Sequence, residues 1–225
     1  MPDESNVVFF FDCDNTLLDN DRVRSDLDAW LAREFRGAAP MYWRYYEQLR
    51  AETGYADYLG AVQRLHRDHP GDPRLPALSA FLLEYPFDSR LYPHALEVIA
   101  HCRRWGTTAI LSDGDAVFQP WKLQRAGITR AVEGRTLIYI HKEQMLADVM
   151  ARYPARHFIL VDDKPSILTS TKAQLHDRLI TIWPRQGHYA TEAAKDADRT
   201  PADVTIDHIG DLLRYDFSTL PPEPA

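Results

Sequence analysis

The sequence is poor in cysteine and lacks long apolar runs. Only Cys13 and Cys102 occur in 225 residues, far apart and with no C-x-x-C pair, which excludes a disulfide framework and a thiolate zinc site. No apolar run approaches the roughly 18 residues that a membrane-spanning helix needs. The first six residues are acidic and polar, whereas a signal peptide would be basic and then apolar. We therefore expect a reduced, cytoplasmic protein without a membrane partner.

The chain also lacks clusters of basic residues. Its 33 Asp and Glu outnumber its 26 Lys and Arg, giving a formal net charge of −7, and no run of Lys and Arg could follow a phosphate backbone. A nucleic-acid partner is therefore not expected. Hydrophobic residues at 45% and charged residues at 26% are ordinary for a folded protein. The length fits one α/β domain that carries an insertion.

One apolar run leads directly into two acidic residues. Residues 7–11 read Val-Val-Phe-Phe-Phe, and Asp12 and Asp14 follow. Such a run is typical of a strand buried on both faces of a parallel sheet. In these sheets ligands bind at the carboxyl ends of the strands. Two crowded carboxylates at this point repel each other and lose solvation, which indicates a bound cation or a reaction.

The rest of the chain divides into a helical part and an alternating part. Apolar residues recur at helical spacing between residues 19 and 90, where no strand pattern is found, and we interpret this segment as a small helical domain inserted behind the first strand. From Pro93 onward helices alternate with short apolar runs, which is typical of βαβ units. The predicted strands are 107–111, 136–140, 157–161, 179–183 and 204–206, and the predicted helices start at Pro93, Ala116, Glu143, Ile167 and Ile209.

Further polar residues follow the later strands. Ser112, Asp113 and Gly114 come after one strand, Lys142 after the next, and Asp162-Asp163-Lys164 after the fourth. Carboxylates attract a hard divalent cation. A hydroxyl, the backbone N–H groups of a helix start and an ammonium attract a phosphate. Together these residues predict a site for phosphoryl transfer.

These motifs resemble those of the haloacid dehalogenase (HAD) superfamily, in its phosphatase-like form with an inserted helical cap. The resemblance is carried by Asp12-x-Asp14-x-Thr16, Ser112, Lys142 and Asp162-Asp163, and it runs over most of the chain. It implies a three-layer Rossmann-like α/β fold whose first strand lies between the second- and fourth-motif strands. The core would comprise residues 1–18 and 91–225, and the cap residues 19–90.

The resemblance also implies roles for the motif residues. Asp12 would be the nucleophile that forms an aspartyl-phosphate, and Asp14 the general acid and base. Mg²⁺ would be held by the Asp12 carboxylate, the Asp14 main-chain carbonyl and the fourth-motif pair, with Asp163 preferred over Asp162 as direct ligand. Lys142 would balance the phosphate charge, although Lys164 is an alternative. Ser112, Asp113 and Gly114 would bind the phosphate.

Some of these residues also allow other interpretations. Asp12 and Asp14 could cap a turn, and Asp115 is better explained as the cap of the next helix than as a catalytic acid. A calcium loop is excluded, because Leu17 stands where that loop needs Gly and Val23 where it needs Glu. The dehalogenases that named the family lack an acid at the position of Asp14, so phosphate esters are favoured over halo-acids.

The sequence thus predicts a Mg²⁺-dependent phosphohydrolase acting on a small phosphorylated metabolite, as a monomer or homodimer. A phosphomutase of the same superfamily and a non-catalytic phosphate- or metal-binding regulator are the alternatives. The physiological substrate is not encoded in any motif. Trp43, Arg44 and Glu47 lie off the apolar stripe of their predicted helix, and we expect them to face the substrate.

Overall fold

The computed structural model describes residues 7–35, 39–193, 201–219 and 223–224. At its centre is a six-stranded sheet in the order β3-β2-β1-β4-β5-β6, and every neighbouring pair in it is parallel. The strands are β1 Val7–Phe11, β2 Thr107–Asp113, β3 Thr136–Tyr139, β4 His157–Val161, β5 Leu179–Pro184 and β6 Val204–Ile206. A short antiparallel pair, β7 Tyr215–Asp216 and β8 Glu223–Pro224, lies apart from it.

Four helices follow β1 before the sheet continues. They are α1 Asn20–Glu34, α2 Ala39–Thr53, α3 Tyr58–Asp68 and α4 Leu75–Glu84. The later helices alternate with the strands: α5 Ala95–Cys102, α6 Phe118–Arg125, α7 Ile128–Ala131, α8 Leu146–Arg152, α9 Pro165–Leu175 and α10 Gly187–Ala193. The predicted α/β fold with a helical insertion after the first strand is confirmed, as is the position of β1 between β2 and β4.

The alternation of side chains along β1 separates two apolar layers. Phe9 and Phe11 belong to a cluster that includes residues of α1–α6, whereas Val8 and Phe10 belong to a second cluster against α8 and α9. Both faces of this strand are buried, as the continuous apolar run predicts. The sheet is therefore the middle of three layers, and its strand ends form one edge to which polar side chains can converge.

Some predicted elements differ from the observed ones at their ends. Pro93 lies in a turn, and α5 begins at Ala95 after His94 in the left-handed region at φ 67°. The helix expected from Glu143 is a 3₁₀ turn, Lys142–Gln144, followed by α8, and the helix expected at Ile209 is a 3₁₀ helix, Ile209–Arg214. Helix α10 has no apolar stripe and was not predicted. No helix among the described residues is both long and apolar enough to cross a bilayer.

Candidate active site

The end of β1 and its turn bring Asp12 and Asp14 to the sheet edge. The N–H of Asp12 still donates to the Val161 carbonyl of β4 at 2.9 Å. After it the chain turns through Asn15, whose φ of 59° is a left-handed conformation that asparagine tolerates. The Asn15 side-chain oxygen then accepts the N–H groups of Asn20 and Asp21 at the start of α1. The turn therefore holds both carboxylates beside the entry to the helical insertion.

Asp12, Asp162 and Asp163 form a buried carboxylate cluster. One oxygen of each lies within 4.8 Å of the others. Asp162 is engaged on both oxygens, because Oδ1 accepts the N–H of Lys164 at 2.8 Å and Oδ2 pairs with Lys142 at 2.6 Å. Both oxygens of Asp163 are buried without a hydrogen-bond partner among the described residues. A buried carboxylate in this state suits a divalent cation, so Asp163 together with Asp12 can supply ligand oxygens to a metal ion such as Mg²⁺.

Lys142 lies at the centre of this cluster. Its side chain is 1% exposed, and Nζ donates to Asp12 Oδ1 at 2.5 Å and to the Leu111 carbonyl at 3.2 Å. Burial alone would lower the pKa of Lys142, but the charges of Asp12 and Asp162 outweigh it and raise the pKa. The ammonium therefore stays charged and partly balances the three acids.

Burial also acts on the fourth-motif acids. It raises the pKa of Asp162 to about 6, against the opposing charge of Lys142. It raises the pKa of Asp163 well above the usual range, and the neighbouring Asp162 and Asp12 add to the rise. The cluster holds more negative charge than the protein alone compensates. This is the electrostatic condition in which a cation binds.

The fourth motif is held by contacts from two other parts of the chain. Thr16 Oγ1 accepts the N–H of Asp163 at 3.0 Å, and Trp183 Nε1 donates to the Asp163 carbonyl at 3.0 Å. The buried Gln186 donates to the carbonyls of Asn15 and Thr16. These bonds lock the first and fourth motifs together while leaving the Asp163 carboxylate free.

The second motif lies next to the cluster. Ser112 is buried and its Oγ accepts from Gln119 Nε2 at 3.0 Å. Asp113 Oδ1 accepts the N–H of Lys142 at 2.8 Å, and the N–H of Gly114 donates to the Tyr139 carbonyl at 2.9 Å. Burial raises the pKa of Asp113. Thus β2 and β3 are joined at their ends, and the Ser112 hydroxyl donates to the Asp113 carbonyl at 3.3 Å.

A cavity of about 190 Å³ opens above these residues, between the strand ends and the helical insertion. Asp14, Asp113, Gly114, Asp163 and Lys164 line it, whereas Asp12, Ser112, Lys142 and Asp162 are buried beside it. The Asp12 side chain keeps 5% exposure. Lys164 faces the cavity and Lys142 faces the carboxylates, so the two lysines that the sequence could not separate occupy different positions. The cavity volume suits a small ligand.

Comparisons with protein families and known structures identify the family of the chain. A family model described as haloacid dehalogenase-like hydrolase matches residues 7–168. The chain belongs to the haloacid dehalogenase-like hydrolase family. A haloacid dehalogenase-like hydrolase from Burkholderia xenovorans LB400 shares 54% identity and a TM-score of 0.87, over 94% of this chain and 99% of the other. A search of curated proteins found no match.

Two more distant structures share the fold of this hydrolase. L-2-haloacid dehalogenase from Xanthobacter autotrophicus, with chloropropionic acid covalently bound, is 18% identical with a TM-score of 0.59, over 92% of this chain and 96% of the other. The HAD-hydrolase YfnB from Bacillus subtilis, bound to magnesium, is 14% identical with a TM-score of 0.57, over 91% and 96%. At these identities the likeness concerns the fold alone.

Sequence reasoning missed Lys122 of α6. Its side chain is 2% exposed, and Nζ donates to both oxygens of Asp14, at 2.5 and 2.7 Å. Burial alone would lower the pKa of Lys122, but the charge and hydrogen bond of Asp14, together with the charges of Cys13 and Asp12, raise it. The sequence pattern could have indicated that Lys122 is buried, because it lies four residues from both Phe118 and Ala126, which is the spacing of a buried helix face. A lysine at such a position needs a buried partner.

Helix α10 contributes a second group that the sequence did not indicate. His188 Nδ1 lies 2.7 Å from Asp21 Oδ1, and the His188 N–H donates to Asp21 Oδ2 at 2.8 Å. Tyr189 lies under the Lys164 ammonium at 5.5 Å. All four side chains line the cavity, opposite the second motif.

The residues expected to face the substrate from α2 do not do so. Trp43, Arg44 and Glu47 are absent from the cavity lining; Arg44 instead packs over the ring of Tyr45 at 5.3 Å. This expectation was wrong because α2 presents another edge to the cavity. That edge carries Tyr46 and Arg50, one turn apart, and Arg24 of α1 lies beside it.

Proposed function

We propose that this hydrolase removes the phosphate from a small phosphomonoester in a Mg²⁺-dependent reaction. The observation that carries the proposal is the cluster of Asp12, Asp162 and Asp163 around one point, with Asp163 unpartnered and Lys142 alongside. Asp12, Asp163 and the Asp14 main-chain carbonyl would hold the ion. When bound, Mg²⁺ supplies positive charge that offsets the repulsion between a carboxylate nucleophile and a phosphate dianion.

In the first step an oxygen of Asp12 attacks phosphorus, and the bond from phosphorus to the ester oxygen breaks. Asp14, with 31% side-chain exposure at the cavity, passes to the departing oxygen a proton that it takes from the Lys122 ammonium paired with it. In the second step Asp14 takes a proton from a water molecule and returns one to Lys122. That water attacks the phosphorus of the aspartyl-phosphate, the phosphorus–oxygen bond to Asp12 breaks, and inorganic phosphate leaves.

The phosphate-binding groups of this proposal are Ser112 and Lys164. The Ser112 hydroxyl accepts from Gln119 and donates to the Asp113 carbonyl at 3.3 Å, a long bond that it would exchange for one to phosphate, and Lys164 faces the cavity from the start of α9. Lys142 acts on Asp12, which it holds at 2.5 Å. Asp113 and Gly114 shape the cavity floor next to the phosphate position. Lys164 is assigned because its side chain lines the cavity, and Ser112 because its hydroxyl can turn from the Asp113 carbonyl to an anion.

Asp14 separates phosphate transfer from dehalogenation. A carboxylate nucleophile could also displace a halide from a halo-acid such as chloropropionic acid, but a departing halide needs no proton. An alkoxide leaving group does need one, and Asp14 is beside the nucleophile to supply it. A phosphomutase would use the same groups and pass the phosphate to a second hydroxyl. A non-catalytic regulator would bind phosphate or Mg²⁺ without turnover.

Release of inorganic phosphate from 4-nitrophenyl phosphate tests the proposal. We expect release with Mg²⁺, no release in excess chelator, and recovery when Mg²⁺ is restored. Chloride release from 2-chloropropionate, measured on the same preparation, tests the dehalogenase alternative. Phosphate that reappears only on an added alcohol would indicate the mutase. Full phosphate release in excess chelator would overturn the Mg²⁺ requirement.

A further inference from the structure

The cavity wall formed by the helical insertion is cationic at its far end. Arg24 of α1 and Arg50 of α2 both line the cavity. The Arg24 guanidinium is stacked over the rings of Trp43 at 4.6 Å and Tyr46 at 5.3 Å, which fixes its position. Its carboxylate partner is Glu47, at 3.2 Å, which does not line the cavity. No carboxylate pairs with Arg50 among the side chains that the structure describes.

Polar side chains connect this cationic end to the proposed catalytic carboxylates. Lys122 lies between Asp14 and the Asn20 side-chain oxygen, at 3.4 Å from the latter. Tyr58 lines the cavity together with Asn20 and Tyr46, and its ring centroid lies 5.0 Å from that of Tyr46. The arginines are therefore separated from Asp14 by a continuous polar wall, and a ligand held by both ends must be longer than phosphate itself.

The hydroxyls beside the arginines can donate to an anion. Burial raises the pKa of Tyr46, and the charges of Arg24 and Arg50 act in the opposite direction. Burial also raises the pKa of Tyr58. Both phenols therefore remain protonated. Two guanidiniums and two phenols on one wall make an environment that favours negative charge in a ligand.

The acids of the cavity do not compensate this charge. Asp14 is paired with Lys122, and Asp21 is paired with His188. Asp113 accepts the N–H of Lys142, and Asp163 belongs to the acidic cluster with Asp12 and Asp162. A neutral substrate tail would leave the two arginines without a counter-charge from the ligand, whereas an anionic tail would neutralise part of their charge.

We infer that the substrate carries a second anionic group, a carboxylate or a second phosphate, which binds between Arg24 and Arg50. That the other end of the ligand is a phosphoryl group rests on the proposed function. The second anion lies at the end of a short chain, in keeping with a cavity of about 190 Å³. The substrate class is thus that of small phosphorylated acids or bisphosphates.

Binding of three non-hydrolysable phosphonates tests this inference, measured by calorimetry in Mg²⁺ at constant ionic strength. Propylphosphonate has a neutral tail, 3-phosphonopropionate ends in a carboxylate, and ethane-1,2-bisphosphonate ends in a second phosphonate. We expect at least one of the two anionic-tailed ligands to bind about tenfold more tightly than propylphosphonate, as for a charge-assisted hydrogen bond. The preferred tail identifies which anion the site takes.

Four variants locate the preference. Arg50→Gln and Arg24→Gln should each reduce the affinity ratio of anionic-tailed to neutral ligand to about twofold or less, and Arg50→Lys should restore part of it. Arg44→Gln is the matched control, because Arg44 is on the same helix as Arg50, is exposed and lies outside the cavity. It should keep the full ratio. Equal loss in Arg44→Gln would assign the effect to net charge and overturn the inference.

The inference and the proposed function fail separately. Equal affinity of the three phosphonates in the wild-type protein, or binding of none, overturns the second-anion site even if 4-nitrophenyl phosphate is hydrolysed. A clear preference for an anionic tail, in a protein that releases no phosphate from any ester, keeps the anion site and overturns the phosphatase proposal.

Discussion

Asp12 and Asp14 are alike in composition but differ in their surroundings. Asp12 is buried against Lys142 and the fourth motif, whereas Asp14 reaches the cavity surface beside Lys122. Under the proposed function, a buried carboxylate within the acidic cluster fits the nucleophile, and an accessible one fits the proton carrier. The different surroundings of these two identical side chains are therefore consistent with the two roles that we propose.

Substitution by asparagine should separate these two roles. Asp12→Asn removes the nucleophile, so no phosphoenzyme should form. Asp14→Asn keeps the nucleophile and loses proton transfer, a loss typically worth about 10²–10⁴ in rate. With 4-nitrophenyl phosphate, whose leaving group needs little protonation, Asp14→Asn should accumulate an adduct on Asp12. Mass spectrometry of rapidly quenched protein would show it, and an adduct in Asp12→Asn would reverse the assignment.

Lys122 should contribute to stability only while Asp14 is present. Removing Asp14 leaves the buried Lys122 ammonium without its counter-charge, so Asp14→Ala should destabilise the fold by about 3 kcal/mol. Lys122→Met in the same chain should recover much of this loss, since no buried charge remains. A double-mutant cycle by urea denaturation measures the coupling. Additive single effects would show that the two residues do not depend on each other.

The raised pKa values of Asp162 and Asp163 predict a pH-dependent response to Mg²⁺. Aspartate in the unfolded chain titrates near 3.9, and burial raises the pKa of Asp162 to about 6 and that of Asp163 well above its usual value. The folded state therefore binds more protons. In the metal-free protein, these two aspartates contribute their full stabilisation below the pKa of the unfolded chain. That contribution is lost as the pH rises through their pKa values in the folded state.

Mg²⁺ requires these carboxylates in their ionised form, so its stabilising effect should grow with pH. We expect the rise in Tm on adding Mg²⁺ to be larger at about pH 8 than at about pH 5. Thermal unfolding in Mg²⁺ and in chelator at each pH measures it. Asp163→Asn is the control and should show little response at either pH. An identical Mg²⁺ shift at both pH values in the wild-type protein would contradict the linkage.

At the scale of elements, the helices and strands that could be predicted from the sequence are those with a local pattern of apolar residues. The run 7–11 is a strand because it is continuously apolar, and strand 157–161 is observed with the same bounds. The polar residues at the strand ends were found because parallel strands end at one edge. Lys122 and Asp14, in contrast, are 108 residues apart and His188 and Asp21 are 167 apart. Such pairs follow from tertiary packing, which no local period encodes.

The position of helix α10 beside the cavity depends on Gly187, the first residue of that helix. Gly187 has a φ of 64°, and a Cβ added to it would lie 2.6 Å from Cβ of Asn15. Asn15 in turn bonds Asp21, the partner of His188. The close approach of α10 to the first-motif turn therefore depends on the missing side chain.

Gly187→Ala should displace α10 from Asn15 and lower both stability and kcat/KM. Gly134→Ala is a matched control, because Gly134 has a similar φ of 80° but an added Cβ would meet nothing within 4 Å. The control should carry only the left-handed backbone cost of about 1 kcal/mol. Thermal unfolding and kcat/KM measured on both variants test this. Equal losses in the two would show that the contact with Asn15 does not matter.

At the scale of the whole molecule, the helical insertion and the sheet share one apolar core. A single cluster of buried residues runs from Phe9 and Phe11 of β1 to Leu78 and Leu82 of α4. Phe118 of α6 is at the junction, with ring centroids 5.5 Å from Tyr58 and 5.8 Å from Phe87. Nearby, Trp121 Nε1 donates to the Leu83 carbonyl at 2.8 Å.

This continuity predicts one cooperative unfolding transition. Unfolding the insertion alone would expose the sheet-side apolar surface that it covers, so neither part should melt first. Phe118→Ala removes the ring that joins the two parts, which should cost about 3–5 kcal/mol and lower Tm by roughly 10 °C. Calorimetry measures both effects, since calorimetric and van't Hoff enthalpies agree in a single transition. Phe118→Leu, which keeps most of the buried volume, should lose much less. Two resolved transitions in the wild-type protein would contradict the shared core. Two transitions only in Phe118→Ala would instead show that this ring is the contact that makes the helical insertion and the sheet unfold together.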